Sequence, residues 1–273
     1  MQYINALSQT TTVIDWLTNS RCPSVLHVFD RACNLINEKR NVLSVVTPEI
    51  GNGPFNLVVD SIVLSDHIDL QSEVSISPNQ LTLGDWMVNT GSAELWSARP
   101  KWDALKHKRE TIVHFMTALS NTLLKPLLPD SLLDSFSIAL AKANISTALI
   151  VTSRLAGLGI GLTPAGDDFI MGGLYGAWIS HPPDVAERLA QEIAETAAPL
   201  TTSLSAEWLR SAGRGEAGIG WHEFFDVLLT GSAVEPTHLR DKVEQILEVG
   251  ETSGADALAG FVGTLIASTK VTP

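Results

Sequence analysis

Residues 24–29, Ser24-Val25-Leu26-His27-Val28-Phe29, and residues 112–123, in which Ile112, Phe115, Met116, Leu119 and Leu123 fall at i, i+3, i+4, i+7 and i+11, decide the fold between them. The first is a short apolar, β-branched run of strand length. The second repeats with a helical period and closes on Lys125-Pro126. Around the first lie runs of the same kind, Asn41 to Thr47 and Phe55 to Val63, broken by Glu38-Lys39-Arg40 and by Gly51-Asn52-Gly53-Pro54. The latter break is a strong turn signal, because its glycines permit positive φ and Pro54 cannot donate to a ladder. Ser77-Pro78-Asn79 and Asn89-Thr90-Gly91 punctuate further pieces, and a short helix is predicted around Thr12–Thr18.

Beyond residue 106 the helical period persists. It predicts helices over 131–143, 146–156, 167–179, 183–197, 202–212, 221–229, 237–249 and 255–268, with Pro129, Pro164, Pro182-Pro183, Pro199 and Pro236 at their joints. The expected fold is α+β with segregated halves: a mostly antiparallel β-domain over 1–105, with a small barrel as one form of it, then an all-helical domain over 106–273. An alternating βαβ sheet is not written here.

The 273 residues are 45% hydrophobic and 18% charged. Such a chain is long and apolar enough for a real core and is not disordered. Its net charge of −12 argues against non-specific binding to nucleic acid or anionic lipid. Residues 1–109 carry 9 basic and 11 acidic groups, and residues 110–273 carry 9 and 19, so the acidity belongs to the C-terminal half. Cys22 and Cys33 form no CxxC and are expected as reduced thiols. The N-terminal residues lack a basic, then long apolar, leader pattern, and the most apolar stretch, Phe169 to Ile179, is about half of a membrane span. A soluble cytoplasmic protein is the expectation.

The chemistry concentrates in Gly157-Leu158-Gly159-Ile160-Gly161-Leu162-Thr163-Pro164-Ala165-Gly166-Asp167-Asp168, which leads into Phe169-Ile170-Met171-Gly172-Gly173-Leu174-Tyr175-Gly176. Four glycines in ten residues before a helix give a loop whose N–H groups can converge on an anion, helped by the positive end of the helix dipole. The stretch is neither a Walker A loop nor a dinucleotide fingerprint. Two adjacent aspartates would repel a phosphate, so they either hold a bridging cation or orient the loop through its N–H groups. Alternatively Asp167 or Asp168 caps the helix, and Gly172 and Gly176 only let two helices approach.

The motif has an echo in Gly250-Glu251-Thr252-Ser253-Gly254-Ala255-Asp256-Ala257-Leu258-Ala259-Gly260, with Thr252, Asp256 and Gly260 answering Thr163, Asp168 and Gly172. Two turns that each deliver Thr and Asp to a glycine-containing helix suggest helix N-termini facing one cleft. The candidate catalytic residues are Asp167, Asp168 and Asp256, which are also the candidate ligands of a Mg2+ ion, the one cofactor worth testing. The candidate substrate-binding residues are Gly159, Gly161, Thr163, Gly166, Thr202, Ser203, Ser253 and Gly254. Thr202 and Ser203 belong to Thr201-Thr202-Ser203-Leu204-Ser205, whose hydroxyls also suit a helix cap. Arg210 and Arg214 either clamp an anion or neutralise neighbouring glutamates. His27, His67, His107, His114, His181, His222 and His238 show no metal spacing, and no GxSxG elbow is present.

On these residues the sequence resembles the AllH-type subunit family of bacterial oxamate carbamoyltransferase. The resemblance is carried by Gly157-Leu158-Gly159 with Gly161 to Asp168, by Thr202-Ser203 with Leu209 and Gly213, and by Gly250, Thr252-Ser253-Gly254 and Asp256. In the first half Val28-Phe29, Arg31 to Leu35, Gly51 to Pro54, Trp96 and Pro100 add to it. Ile160 and Ala165 depart from the family's usual proline and serine without touching the aspartates. The resemblance implies a component of a hetero-oligomeric transferase of ureide (allantoin) catabolism, which moves a carbamoyl group between carbamoyl phosphate and oxamate. It assigns no catalytic residue. Two other classes stay open: a Mg-dependent hydrolase, because Asp167-Asp168 before a glycine-bearing helix loosely resembles ADP-ribosylglycohydrolases, and a non-catalytic scaffold whose β-domain docks partner chains through tryptophans such as Trp86, Trp96 and Trp102.

Overall fold

The computed structural model describes residues 2–60, 63–120, 126–230 and 236–270. Leu123 and Lys125, expected to end the first long helix, lie outside them. The chain divides into two compact units, Met1–Ala98 and Arg99–Pro273.

The first unit holds strands β1 (Gln2–Gln9), β2 (Ser24–Val28), β3 (Ala32–Ile36), β4 (Val42–Val46), β5 (Asn56–Val59), β6 (Val74–Ser77), β7 (Gln80–Leu83), β8 (Trp86–Asn89) and β9 (Glu94–Leu95), with helix α1 (Thr11–Asn19) after β1. They form one sheet in the order β2-β3-β4-β5-β1-β8-β7-β6, with β9 added beside β1. The sheet curls into a nearly closed barrel. Most pairings are antiparallel; β1 runs parallel to β8 and β9, and β4 parallel to β5. The core is built from Leu35, Leu43, Val45, Leu57, Val59, Leu81 and Trp86, with Val13 and Trp16 of α1 packed against it. Thr10 caps α1 by accepting from the Val13 N–H at 3.2 Å. Residues 2–9, where the composition suggests no strand, supply the central β1: Ile4, Ala6 and Ser8 face inward and Tyr3, Asn5 and Leu7 outward. Cys33 is buried, Cys22 is exposed, and both are free.

The second unit is helical: α2 (Trp102–His107), α3 (Arg109–Ser120), α4 (Asp130–Ala141), α5 (Ile145–Leu155), α6 (Ala165–Ser180), α7 (Pro183–Ala197), α8 (Ser203–Gly213), α9 (Ile219–Thr230), α10 (Pro236–Leu247) and α11 (Ser253–Thr269). α6 is buried on almost every side, from Gly166 to Ile179. An all-round apolar helix has no amphipathic stripe because it occupies the centre of the bundle. Its closest partner is α11. A Cβ on Gly172 would stand 1.7 Å from the Ala257 carbonyl oxygen, and one on Gly260 2.0 Å from that of Phe169. Each glycine therefore lets the other helix's backbone into contact, and the packing reading of Gly172 holds. Gly172→Ala is expected to cost about 3 kcal/mol or more, because backbone rather than a side chain would have to move; a urea melt reads it directly. Trp102, Tyr175, Trp178, Trp221, Phe225 and Phe261 fill the rest of this core. Trp86 and Trp102, weighed above as interface residues, are both buried.

No helix among the described residues is long and apolar enough to cross a membrane.

Candidate functional site

α6 begins at Ala165, two residues earlier than the period suggests, so Asp167 and Asp168 lie inside its first turn rather than capping it. Pro164 occupies the cap in extended backbone with no side chain to offer. The two neighbouring carboxylates point to different partners. Asp167 accepts from the Gly157 N–H at 2.8 Å and from the Ser205 hydroxyl at 2.7 Å, and the Thr201 hydroxyl donates to it as well. One buried carboxylate thus ties together the loop before α6, the turn before α8 and α8 itself. Burial raises the pKa of Asp167, and these three donors oppose the shift.

Asp168 faces α11. The Thr163 hydroxyl lies 2.9 Å from that of Ser253, so the two glycine turns meet through a bond that spans 90 residues. Both hydroxyls lie beside the Asp168 carboxyl. Asp256 lies in the first turn of α11, where its backbone N–H donates to the Thr252 carbonyl at 2.9 Å. Asp168 is 5% exposed and Asp256 3%, and each keeps one buried carboxylate oxygen with no hydrogen-bond partner. Burial pushes the Asp168 carboxyl up to about 8; the charges of Asp256 and Asp167 add to this, and the two hydroxyls oppose it. Burial also raises Asp256. Two like charges placed together in a dry site favour sharing a proton.

The other candidates separate into engaged and open groups. The Gly166 N–H donates to Leu158 O at 2.8 Å, and the Gly254 N–H to Val249 O at 3.1 Å. A Cβ on either would strike the backbone of Leu155 or Ile246. Gly166 and Gly254 therefore serve close packing, and their amides are occupied. Gly159 and Gly161, at φ +126° and +95°, shape an exposed loop. Such φ values favour glycine. Among the described residues no backbone hydrogen bond engages the N–H of Gly159, Ile160, Gly161, Leu162 or Thr163. Thr202 caps α8, accepting from the Ser205 N–H at 3.1 Å, and its hydroxyl donates to Leu162 O at 2.5 Å, which fastens the glycine loop. Ser203 is the first residue of α8. Arg210 and Arg214 lie 4.0 and 3.9 Å from the buried Glu207, and Arg214 pairs with Glu216 at 2.8 Å. They neutralise glutamates, as the acidity of this half suggested.

A Mg2+ ion held by all three aspartates does not fit this arrangement. Asp167 is turned to its own donors, and among the described residues no group of three or more His, Cys, Asp or Glu could hold a metal. Thr201 and Ser205, the holders of Asp167, are the residues that sequence reasoning missed in this role. Their hydroxyl-rich turn was visible, but its partner 34 to 38 residues upstream was not.

Comparison with curated proteins and with solved structures finds no match to either. Two family models do match: the AllH family N-terminal domain over residues 5–95, and oxamate carbamoyltransferase subunit AllH over residues 155–265. The second match takes in both glycine turns and all three aspartates, and with the first it covers most of the chain. The chain belongs to the AllH family, whose members are described as subunits of oxamate carbamoyltransferase.

Proposed function

We propose that the chain serves in a carbamoyl transfer between carbamoyl phosphate and oxamate, together with other subunits, and that the facing first turns of α6 and α11 take the small anionic substrate. The observation that carries this reading is the Thr163–Ser253 bond, which sets Asp168 beside Asp256 with one unpartnered oxygen on each. A carboxyl that keeps its proton near neutrality does not repel an anion and donates to it. The Asp168–Asp256 pair then presents one O–H and one carboxylate. The unengaged N–H groups from Gly159 to Thr163 and the positive end of α6 receive the phosphate or carboxylate.

Both substrates also carry an N–H2 group, a natural donor to the remaining carboxylate. In the transfer, the oxamate nitrogen bonds to the carbamoyl carbon, the carbon–oxygen bond to phosphate breaks, and phosphate leaves with the electron pair. The nitrogen's proton passes to the ionised member of the pair, and the N–H groups stabilise the charge on the departing phosphate.

Asp168→Asn and Asp256→Asn, each assembled with the partner subunits, are expected to lower turnover at least 100-fold while the assembly still forms. Turnover within a fewfold of the parent in both variants would contradict the proposal.

A further inference from the structure

Three turns of the helical unit meet around the candidate site, and each brings an exposed apolar side chain to its mouth. The loop before α6 is fastened to the turn before α8, where the Thr202 hydroxyl donates to Leu162 O at 2.5 Å. It is fastened to the start of α11 by the 2.9 Å contact of Thr163 with Ser253. A Cβ on Gly157 would lie 2.5 Å from the Leu200 carbonyl oxygen, which seats Leu200 against the same loop. Ile160, held between Gly159 and Gly161 at the tip, is 93% exposed, and Leu158, Leu200 and Val249 are exposed as well. A Cβ on Gly161 would meet nothing within 4 Å, so the tip faces open space. Apolar side chains scattered singly over a surface are ordinary; four of them around the opening of one site mark a surface that another chain covers.

The charge of this rim selects what covers it. The turn between α10 and α11 presents Glu248 and Glu251 on either side of Val249, all three exposed. They belong to a half of the chain that carries 9 basic against 19 acidic groups. Two copies of the chain joined through this rim would set those glutamates against each other, which is unfavourable. A different chain, with an apolar pocket flanked by Lys or Arg, suits the rim in both shape and sign. Members of the family are described as subunits of a transferase, and a subunit implies other chains to join.

We infer that a partner subunit of the transferase docks on Leu158, Ile160, Leu200 and Val249, that its basic side chains meet Glu248 and Glu251, and that it closes the mouth over the 159–163 loop. Closure keeps out the water that would otherwise compete with oxamate for the carbamoyl group. The identity of the partner rests on the transfer reaction proposed above; association measured without substrate succeeds or fails apart from anion binding.

The test is the affinity of the full chain for the remaining transferase subunits, measured by interferometry without substrate. Ile160→Ser is expected to weaken association at least tenfold at an unchanged melting temperature, because the side chain it removes is solvent-exposed. Glu248→Lys combined with Glu251→Lys should weaken it as well and flatten its salt dependence. Tyr3→Ser, at an 80% exposed position on β1 in the other unit, should leave it within twofold of the parent. In the assembled enzyme the 159–163 amides, which no backbone hydrogen bond engages among the described residues, should exchange their hydrogens at least tenfold more slowly than in the free chain. Parent-like association of Ile160→Ser or of the double lysine variant, unchanged exchange at 159–163, or a loss caused by Tyr3→Ser alone would overturn the inference. Self-association of the chain that Ile160→Ser abolishes would overturn it too. If the expected results appear and the chain binds no anion, the docking stands and only the substrate reading falls.

Discussion

Between pH 6.5 and 8 the chain is expected to lose about 2 kcal/mol of stability, and Asp168→Asn is expected to abolish most of that loss. The Asp168 carboxyl stands near 8 in the folded chain, raised chiefly by burial. In the unfolded chain it ionises near its ordinary value of about 4. Between those limits the native state binds the extra proton, so its stability is full at low pH and falls as pH rises toward 8, by at most about 1.4 kcal/mol per unit. Asp167 and Asp256 are also raised by burial and act in the same direction. His27 and His181 are lowered by burial and act oppositely wherever an unfolded histidine still holds its proton, which extends to about pH 7.5. Asp168→Asn removes only the carboxyl part of the slope and leaves the histidine part unchanged. Urea melts at several pH values measure the slope. A slope unchanged in Asp168→Asn would assign it elsewhere and remove the proton from the site.

Asp167→Ala is expected to be the more damaging change to the fold, costing about 3 kcal/mol. It leaves the Gly157 N–H and the Thr201 and Ser205 hydroxyls without their shared acceptor, in a place where Asp167 itself is 1% exposed. Asp167→Asn keeps one acceptor oxygen and should cost less, about 1–2 kcal/mol, because its amide must face at least one donor. Denaturant melts give the sizes, and faster hydrogen exchange at Gly157 would localise the loosening. Two variants of wild-type stability would show that this carboxylate does not hold the loop. The contrast with Asp168 is the point: adjacent residues on one helix turn, one binding segments of the chain together, the other facing the second glycine turn.

Much of this architecture was legible because local rules governed it. Prolines at the joints and a helical apolar period located the helices, and the prediction over 183–197 coincides with α7. The Pro78-Asn79 signal marks the β6–β7 turn. β1 escaped because its inward residues are Ile4, small Ala6 and polar Ser8, which leave little apolar contrast; its strand character comes from pairing with β5 and β8 on either side. At the site, the repeated Thr and Asp of the two turns foreshadowed the meeting of Thr163 with the 252–256 turn, because a repeated local structure tends to place its ends alike. The division of labour between Asp167 and Asp168 had no local signal. It depends on α6 starting at Ala165 and on hydroxyls far along the chain. Gly166 and Gly254 misled for a related reason: a glycine beside a helix start suits an anion cradle and a backbone contact equally, and only the neighbour at 2 Å or less separates them.

The most direct test of the central claim, a small-anion site at the paired turns of α6 and α11, is a thermal-shift titration of the purified chain with phosphate, carbamoyl phosphate and oxamate, run beside Asp168→Asn and Gly161→Val. Stabilisation follows RT ln(1 + [L]/Kd), so a ligand at 100 times its Kd contributes about 2.7 kcal/mol, a shift of several degrees. A saturable shift is expected with at least one of these anions, strongly reduced in both variants. A shift that survives in both variants, or no shift with any of the three, would contradict it.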